Sequence, residues 1–315
     1  MAFKAYSYSE IEHLSEGVHD RAILEREKLL ASEFVESYPC PSQPSLCPLC
    51  ESEETDRFAE IGGAQYHRCR ICWSLFLNVS EDVIHKYRDY KPLNSFRESR
   101  IYQETARQKR EAIWREQLFW VEFRSARYLQ PLRELSVIEI GGRFKGFSEI
   151  IKASCAQYSQ HRTIELIQGL SDVVLYFGSM QLEVSPTKAL YMIHKHLGDN
   201  GLLFLSTRVS TVFDILTLKG NVNSLYPYDS STIPSIEALE LILNKTGFDL
   251  LEISTPGTLD VRYVVENSSK LERGDLFTRY LIEKADNTVR SEFQRLLQKS
   301  AMSSHAQLVA RVYHE

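Results

Sequence analysis

The sequence has no apolar run long enough to span a bilayer as a helix, which takes about 20 consecutive apolar residues. A membrane-spanning helical protein is therefore not expected. It also lacks a basic patch. Lys and Arg number 37 against 42 Asp and Glu, for a net charge of −5. Bulk electrostatics thus gives no support to a nucleic-acid partner. The first residues, Met1 to Tyr8, carry no secretory apolar core. No internal repeat or low-complexity tract interrupts the chain. What remains is ordinary for a folded protein: 43% hydrophobic and 25% charged residues, enough apolar surface for a real core. The length of 315 residues allows one large domain or two modest ones.

Cysteine is sparse but patterned. Four of the six cysteines form two pairs, Cys47-Pro48-Leu49-Cys50 and Cys69-Arg70-Ile71-Cys72, with eighteen residues between the pairs. That is the spacing of a zinc ribbon. A C-x-x-C turn aims both sulfurs at one point, and two turns complete the tetrahedral set that structural zinc prefers. Iron fits the same four ligands. Between the pairs, Arg57–Ile61 and Ala64–Arg68 read as strands joined by Gly62-Gly63, a pair that tolerates positive φ in a tight hairpin. Trp73 to Leu77 reads as a third strand. Thiolate ligands must stay reduced, so a cytoplasmic setting is expected. Cys40 and Cys155 are left over, the first as inert surface and the second as a small core residue.

Around this module the periodicity predicts helix over 8–37, a break at Pro39 to Ser45, a short helix capped by Ser80, and a long helix over about 98–129. From Leu135 the pattern alternates. Strands are predicted at 136–140, 172–177, 202–206 and 248–254. Helices are predicted at 147–158, 186–197 and 235–246, and residues 270–315 read as mostly helical. Such alternation implies an α/β layer with a largely parallel sheet.

Ligands of open α/β sheets bind beyond the carboxyl ends of the strands. The first such end reads Glu139-Ile140-Gly141-Gly142-Arg143-Phe144-Lys145-Gly146. Its glycines let backbone approach a ligand, and the helix that follows offers free N–H groups. Together with the ribbon, the stretch Val137 to Gly141, Leu197 to Arg208, Phe213 to Leu216, Ser254 to Val261 and Ser303-Ser304-His305 resemble the zinc-ribbon-bearing class I S-adenosylmethionine-dependent methyltransferases. The resemblance covers most of residues 45–315. It implies a Rossmann-like methyltransferase fold with a parallel sheet core, plus an N-terminal zinc ribbon and helical segments. It divides the chain into an N-terminal helical extension (1–44), the ribbon (45–80), a helical linker (81–130), the methyltransferase-type domain (131–267) and a C-terminal helical segment (268–315). By the same resemblance Glu139, Gly141, Gly142, Gly146, Glu165 and Phe177 would meet S-adenosylmethionine.

The departures are concentrated at the site. Arg143 and Lys145 stand where the family alternates glycines. Only one βα unit fits between Gly141 and Asp172, where the family has two. The loop after Phe177 lacks the family's acidic and histidine residues. Candidate bases that remain are Tyr226, Tyr228, Asp229 and Asp214, if an environment tunes them. Two functions follow as expectations. One is methyl transfer to a small, sugar-like metabolite. The other is a degenerate, non-catalytic fold that partners another protein through the N-terminal helices, or whose cleft takes an anion through Arg143 and Lys145. Nucleic-acid binding through the ribbon is disfavoured by the acidic balance.

Overall fold

The structure, a computed structural model, describes residues 21–41, 46–141, 145–222 and 225–313, without the side chains of 21, 22, 24 and 106–110. The first half of the helix predicted over 8–37, together with Gly142 and Arg143, lies outside the described residues. Two sheets organise the chain. The N-terminal part is α1 (Arg21–Ser37), the hairpin β1 (Thr55–Ile61) and β2 (Ala64–Cys69), and β3 (Leu75–Leu77). Helices α2 (Glu81–Arg88), α3 (Lys91–Glu98) and α4 (Arg100–Tyr128) follow. Ser80 caps α2 by accepting from the Val83 N–H, as its position predicts. Helix α4, capped by Ser99, is the long helix that the periodicity predicts, and α3, with Pro92 in its first turn, precedes it.

The second sheet is built from β4 (Ser136–Ile140), α5 (Lys145–Ser154), β5 (Gln157–His161), β6 (Ser171–Phe177), α6 (Pro186–His194) and β7 (Leu197–Arg208). The chain continues through α7 (Phe213–Leu218), β8 (Thr232–Ile233), α8 (Ile236–Lys245), β9 (Phe248–Ser254), α9 (Asp260–Glu266), α10 (Leu276–Lys284), α11 (Asn287–Lys299) and β10 (His305–Val312). Its order is β5-β4-β6-β7-β10-β9. Strands β5, β4, β6 and β7 pair in parallel, while β10 runs antiparallel to both β7 and β9. This is a Rossmann-like mixed α/β fold with a mostly parallel central sheet. Both faces are covered, so the middle of β7 is a continuous apolar run, Leu202 to Leu205, fully buried. One face packs α4 and α5 against Val137, Val173, Leu175 and Phe204. The other merges with the ribbon and α1 in a single core.

Four elements differ from the sequence pattern. Helix α5 stops at Ser154, short of the predicted 158, and an additional strand, Gln157–His161, follows it. As the sheet's edge, β5 pairs only with β4, so its sequence is polar and gives no apolar signal. Residues 305–312, read as helical, form β10 between two other strands, where Ala306, Leu308 and Ala310 are fully buried. Finally, β8 leaves the α/β region to pair with β3, closing the ribbon sheet in the order β1-β2-β3-β8. Among the described residues no helix is long and apolar enough to cross a membrane.

Candidate functional site

The four paired cysteines come together first. Their sulfurs all lie within 4.8 Å of one another, with Cys47 and Cys72 at 3.5 Å and Cys50 and Cys69 at 3.4 Å. Each pair forms the same turn. Glu51 N–H donates to the Cys47 carbonyl and Trp73 N–H to the Cys69 carbonyl, at 2.9 and 3.0 Å. The turn then closes from Cys47 N–H to Ser52 and from Cys69 N–H to Ser74, both at 3.0 Å. Glu51 and Trp73 both adopt φ near +60°, a strained region for side-chain-bearing residues. Two matched strained turns that aim four sulfurs at one point are the donor set of a tetrahedral metal. Crowding also splits the thiols. The Cys47 sulfur bonding to Cys72 pulls Cys72 down to about 5, while burial pushes Cys50 up to about 11. A dication answers the charge that such a cluster carries when ionised.

The carboxyl edge of the large sheet holds the residues assigned to the cofactor. Gly141 has φ +91° and its N–H donates to the His161 carbonyl at 2.9 Å. A Cβ there would lie 2.2 Å from Ser179 Oγ, so the loop after β6 fills the space beside it. Gly146 lies in the first turn of α5, and a Cβ there would meet the Trp114 ring of α4 at 2.5 Å. Glu139 is buried and accepts from the Tyr158 hydroxyl at 2.5 Å. Burial raises its carboxyl above the usual range, offset in part by the Tyr158 and Ser148 hydroxyls. Phe177 packs between Trp120 and Phe147, at ring distances of 6.0 and 5.7 Å. Glu165 follows β5 in a single 3-10 turn and lines a separate groove between α2 and α6, with His85, Arg88 and Lys188. Burial opposes its charge, but a backbone N–H and Thr163, with Arg88 and His85 nearby, hold it below the usual carboxylate range.

No family model and no curated protein matches this chain. Solved structures resemble it in fold. Phosphoethanolamine N-methyltransferase 2 of Haemonchus contortus, in complex with S-adenosyl-L-methionine, is 16% identical. The match covers 70% of this chain and 60% of that one, with a TM-score of 0.41. Coclaurine N-methyltransferase bound to N-methylheliamine and S-adenosylhomocysteine is 11% identical over 62% of this chain and 72% of its own, with a TM-score of 0.37. The [4+2]-cyclase SpnF is 13% identical over 62% and 81%, with a TM-score of 0.36. These scores speak to fold alone, and the chemistry rests on the residues themselves.

The candidate bases do not share one site. Tyr228 is fully buried at φ +65°, where its hydroxyl donates to the Tyr38 carbonyl and accepts from Cys40 Sγ at 3.3 Å. Burial, then Cys40, pushes its phenol well above the usual range, which suits a hydrogen-bond donor rather than a base. Cys40 is accordingly half-buried, not the inert surface residue its flanking prolines suggest. Asp229 accepts from Arg97, which also binds Glu27 of α1 at 2.9 Å. The Tyr226 carbonyl accepts from the Tyr66 hydroxyl at 3.4 Å. These three residues belong to the seam between α1, α3 and the ribbon. Asp214 lies elsewhere, buried at the start of α7 with Oδ1 accepting from Ile215 N–H.

Asp214 has a neighbour that spacing alone does not single out. Asp260, at the start of α9, accepts from Ser303 Oγ at 2.5 Å and Gln294 Nε2 at 2.8 Å, while its Oδ1 is buried without a partner. Burial, then the Asp214 charge, pushes its carboxyl up to about 6. The unfolded chain would protonate Asp260 only near the ordinary aspartate value. Between about pH 4 and 6 the folded state therefore holds the extra proton, and stability falls as pH rises through that window. Relative to an Asp260→Asn variant, which mimics the protonated acid, the wild type should lose about 2–3 kcal/mol across it. Urea unfolding of both proteins from pH 4 to 7 measures this, and parallel curves would exclude the raised value.

Proposed function

We propose that this chain is a methyltransferase-like protein whose cofactor crevice is filled by its own side chains. It works as a zinc-stabilised, non-catalytic binding subunit. The observation that carries this reading is the pair of contacts at Gly141 and Gly146. Glycine at a strand-to-helix turn leaves room for a ligand to approach the backbone. Here a Cβ on Gly141 would meet Ser179 Oγ and one on Gly146 the Trp114 ring, so the chain's own side chains crowd both positions. The single βα unit between β4 and β6 supports the same reading, since no second unit stands ready to close over a nucleoside. Cys47, Cys50, Cys69 and Cys72 would hold zinc in a closed four-sulfur site, whose role is folding. The partner would be a protein reached through the N-terminal helices, and the setting cytoplasmic, where the thiolates stay reduced.

Calorimetric titration with S-adenosylmethionine and with S-adenosylhomocysteine tests the proposal. No binding is expected up to about 1 mM of either ligand. Binding at micromolar concentration would sink it. That result would favour methyl transfer to a small metabolite, with Glu139 and Gly141 holding the cofactor. The burial of Glu139 beside Gly141, at the end of β4, is the observation that favours methyl transfer.

A further inference from the structure

The end of β7 and the start of β10 lie side by side, with Arg208 opposite His305 in register. Arg208 is half-buried. Three other shielded guanidinium groups meet a carboxylate, Arg88 with Glu183 at 2.8 Å, Arg97 with Glu27 at 2.9 Å and Arg124 with Glu252 at 2.5 Å, while that of Arg68 lies over the Phe58 ring at 4.4 Å. Among the described residues Arg208 has no such partner. Only its backbone N–H is engaged, donating to Gln181 Oε1 at 3.4 Å. The field of Asp229 reaches the same buried Tyr66 phenol as that of Arg208, but Asp229 is bound to Arg97. A guanidinium drawn partly out of water without a counter-charge is costly, and an anion from outside removes the cost.

The surroundings are donors. His305 is held neutral, its ring pushed down to about 4 by burial and then by Arg208, so it offers one ring N–H. Gln181 spends its Oε1 on the Arg208 backbone and keeps its amide hydrogens for another acceptor. Gln181 comes from the loop after β6, so the three residues lie together at the sheet's carboxyl edge, where open α/β folds bind ligands. We propose that Arg208, with His305 and Gln181 beside it, binds an oxyanion, a carboxylate or a phosphate group, between the ends of β6 and β7. The site goes beyond the functional reading above and stands whether or not the cofactor crevice is filled.

Titration of the full chain with inorganic phosphate and with acetate, in a low-salt buffer at pH 7, tests the site. Saturable binding of at least one anion is expected, weakened about tenfold or more in Arg208→Gln and less in Arg208→Lys. Phosphate alone binding assigns a phosphate ester, and acetate alone a carboxylate. A second readout is the His305 ring signal in nuclear magnetic resonance. It should shift saturably with the bound anion, and its pKa should rise as the anion favours the imidazolium. The proposal fails if wild type binds neither anion at up to about 50 mM, a concentration that covers even very weak sites. It also fails if Arg208→Gln binds as tightly as wild type, or if the His305 signal ignores a bound anion.

Discussion

Replacing Cys47 or Cys69 with serine will unfold the ribbon and loosen α1, and a zinc chelator will do the same to the wild type. The turns at Glu51 and Trp73 hold both residues at positive φ, a cost that a metal drawing the four sulfurs together offsets. With a tetrahedral metal bound, that hold is strong. Small zinc modules gain about 10–16 kcal/mol of apparent binding energy, which becomes folding energy. The hydrophobic core spreads the effect. Cys47, Cys69 and Cys72 are packed in the same cluster as Leu49, Tyr66 and Phe76, and Leu30 and Phe34 of α1 join it. Metal content should be one zinc per chain, falling away in the serine variants together with a cooperative melting transition. Visible absorption would instead reveal iron. Unchanged melting after chelation would mean that the cysteines are ordinary core residues.

Arg97→Met should destabilise the protein by roughly 3–5 kcal/mol, the usual cost of leaving a buried charge without its partner. Arg97 joins Glu27 of α1 to Asp229 of the segment before β8, and both carboxylates are largely shielded. The Tyr102 hydroxyl donates to the same Glu27 oxygen at 3.4 Å. Without the guanidinium, two negative charges remain in a place water barely reaches. Arg97→Lys should recover little, because one ammonium cannot reproduce the planar fork that spans both acids. The triple variant Glu27→Gln, Arg97→Met, Asp229→Asn should recover most of the loss, since no charge is then stranded. Urea denaturation of the four proteins measures this, with proteolysis at α1 as a local probe. A loss under about 1 kcal/mol in Arg97→Met would mean that water, not the protein, solvates these acids.

Asp229 and Tyr228 also illustrate how a loop can mislead. In the sequence they stand after a third strand, where an α/β fold exposes its catalytic loops. In the structure the same loop turns toward the ribbon, because Thr232 and Ile233 find a better strand partner in β3 than in solvent. Tyr66 then fixes the turn by donating to the Ser230 carbonyl at 3.1 Å. No local signal announces this, since a two-residue strand carries almost no pattern. The edge strand β5 hides for a related reason: exposed on one side, it needs no apolar residues. Gly146 shows the limit of reading a glycine from its neighbours. Its place after Gly141 suggests a ligand, while the ring it accommodates comes from Trp114, far back in the chain.

The sequence by itself determined the metal-binding pattern and the α/β alternation, because both are written in short spacings. Two C-x-x-C turns set their own geometry, and buried parallel strands such as β4, β6 and β7 carry mostly apolar residues at their centres. Only the tertiary structure decided what meets what. It set Ser179 and Trp114 against the two glycines, drew Tyr226, Tyr228 and Asp229 into the α1–ribbon seam, and brought Arg208 beside His305 across β7 and β10. The reason is physical. Spacing records what a residue's own backbone will do, whereas the occupant of a crevice comes from distant chain, chosen by packing and by the need to satisfy buried charge.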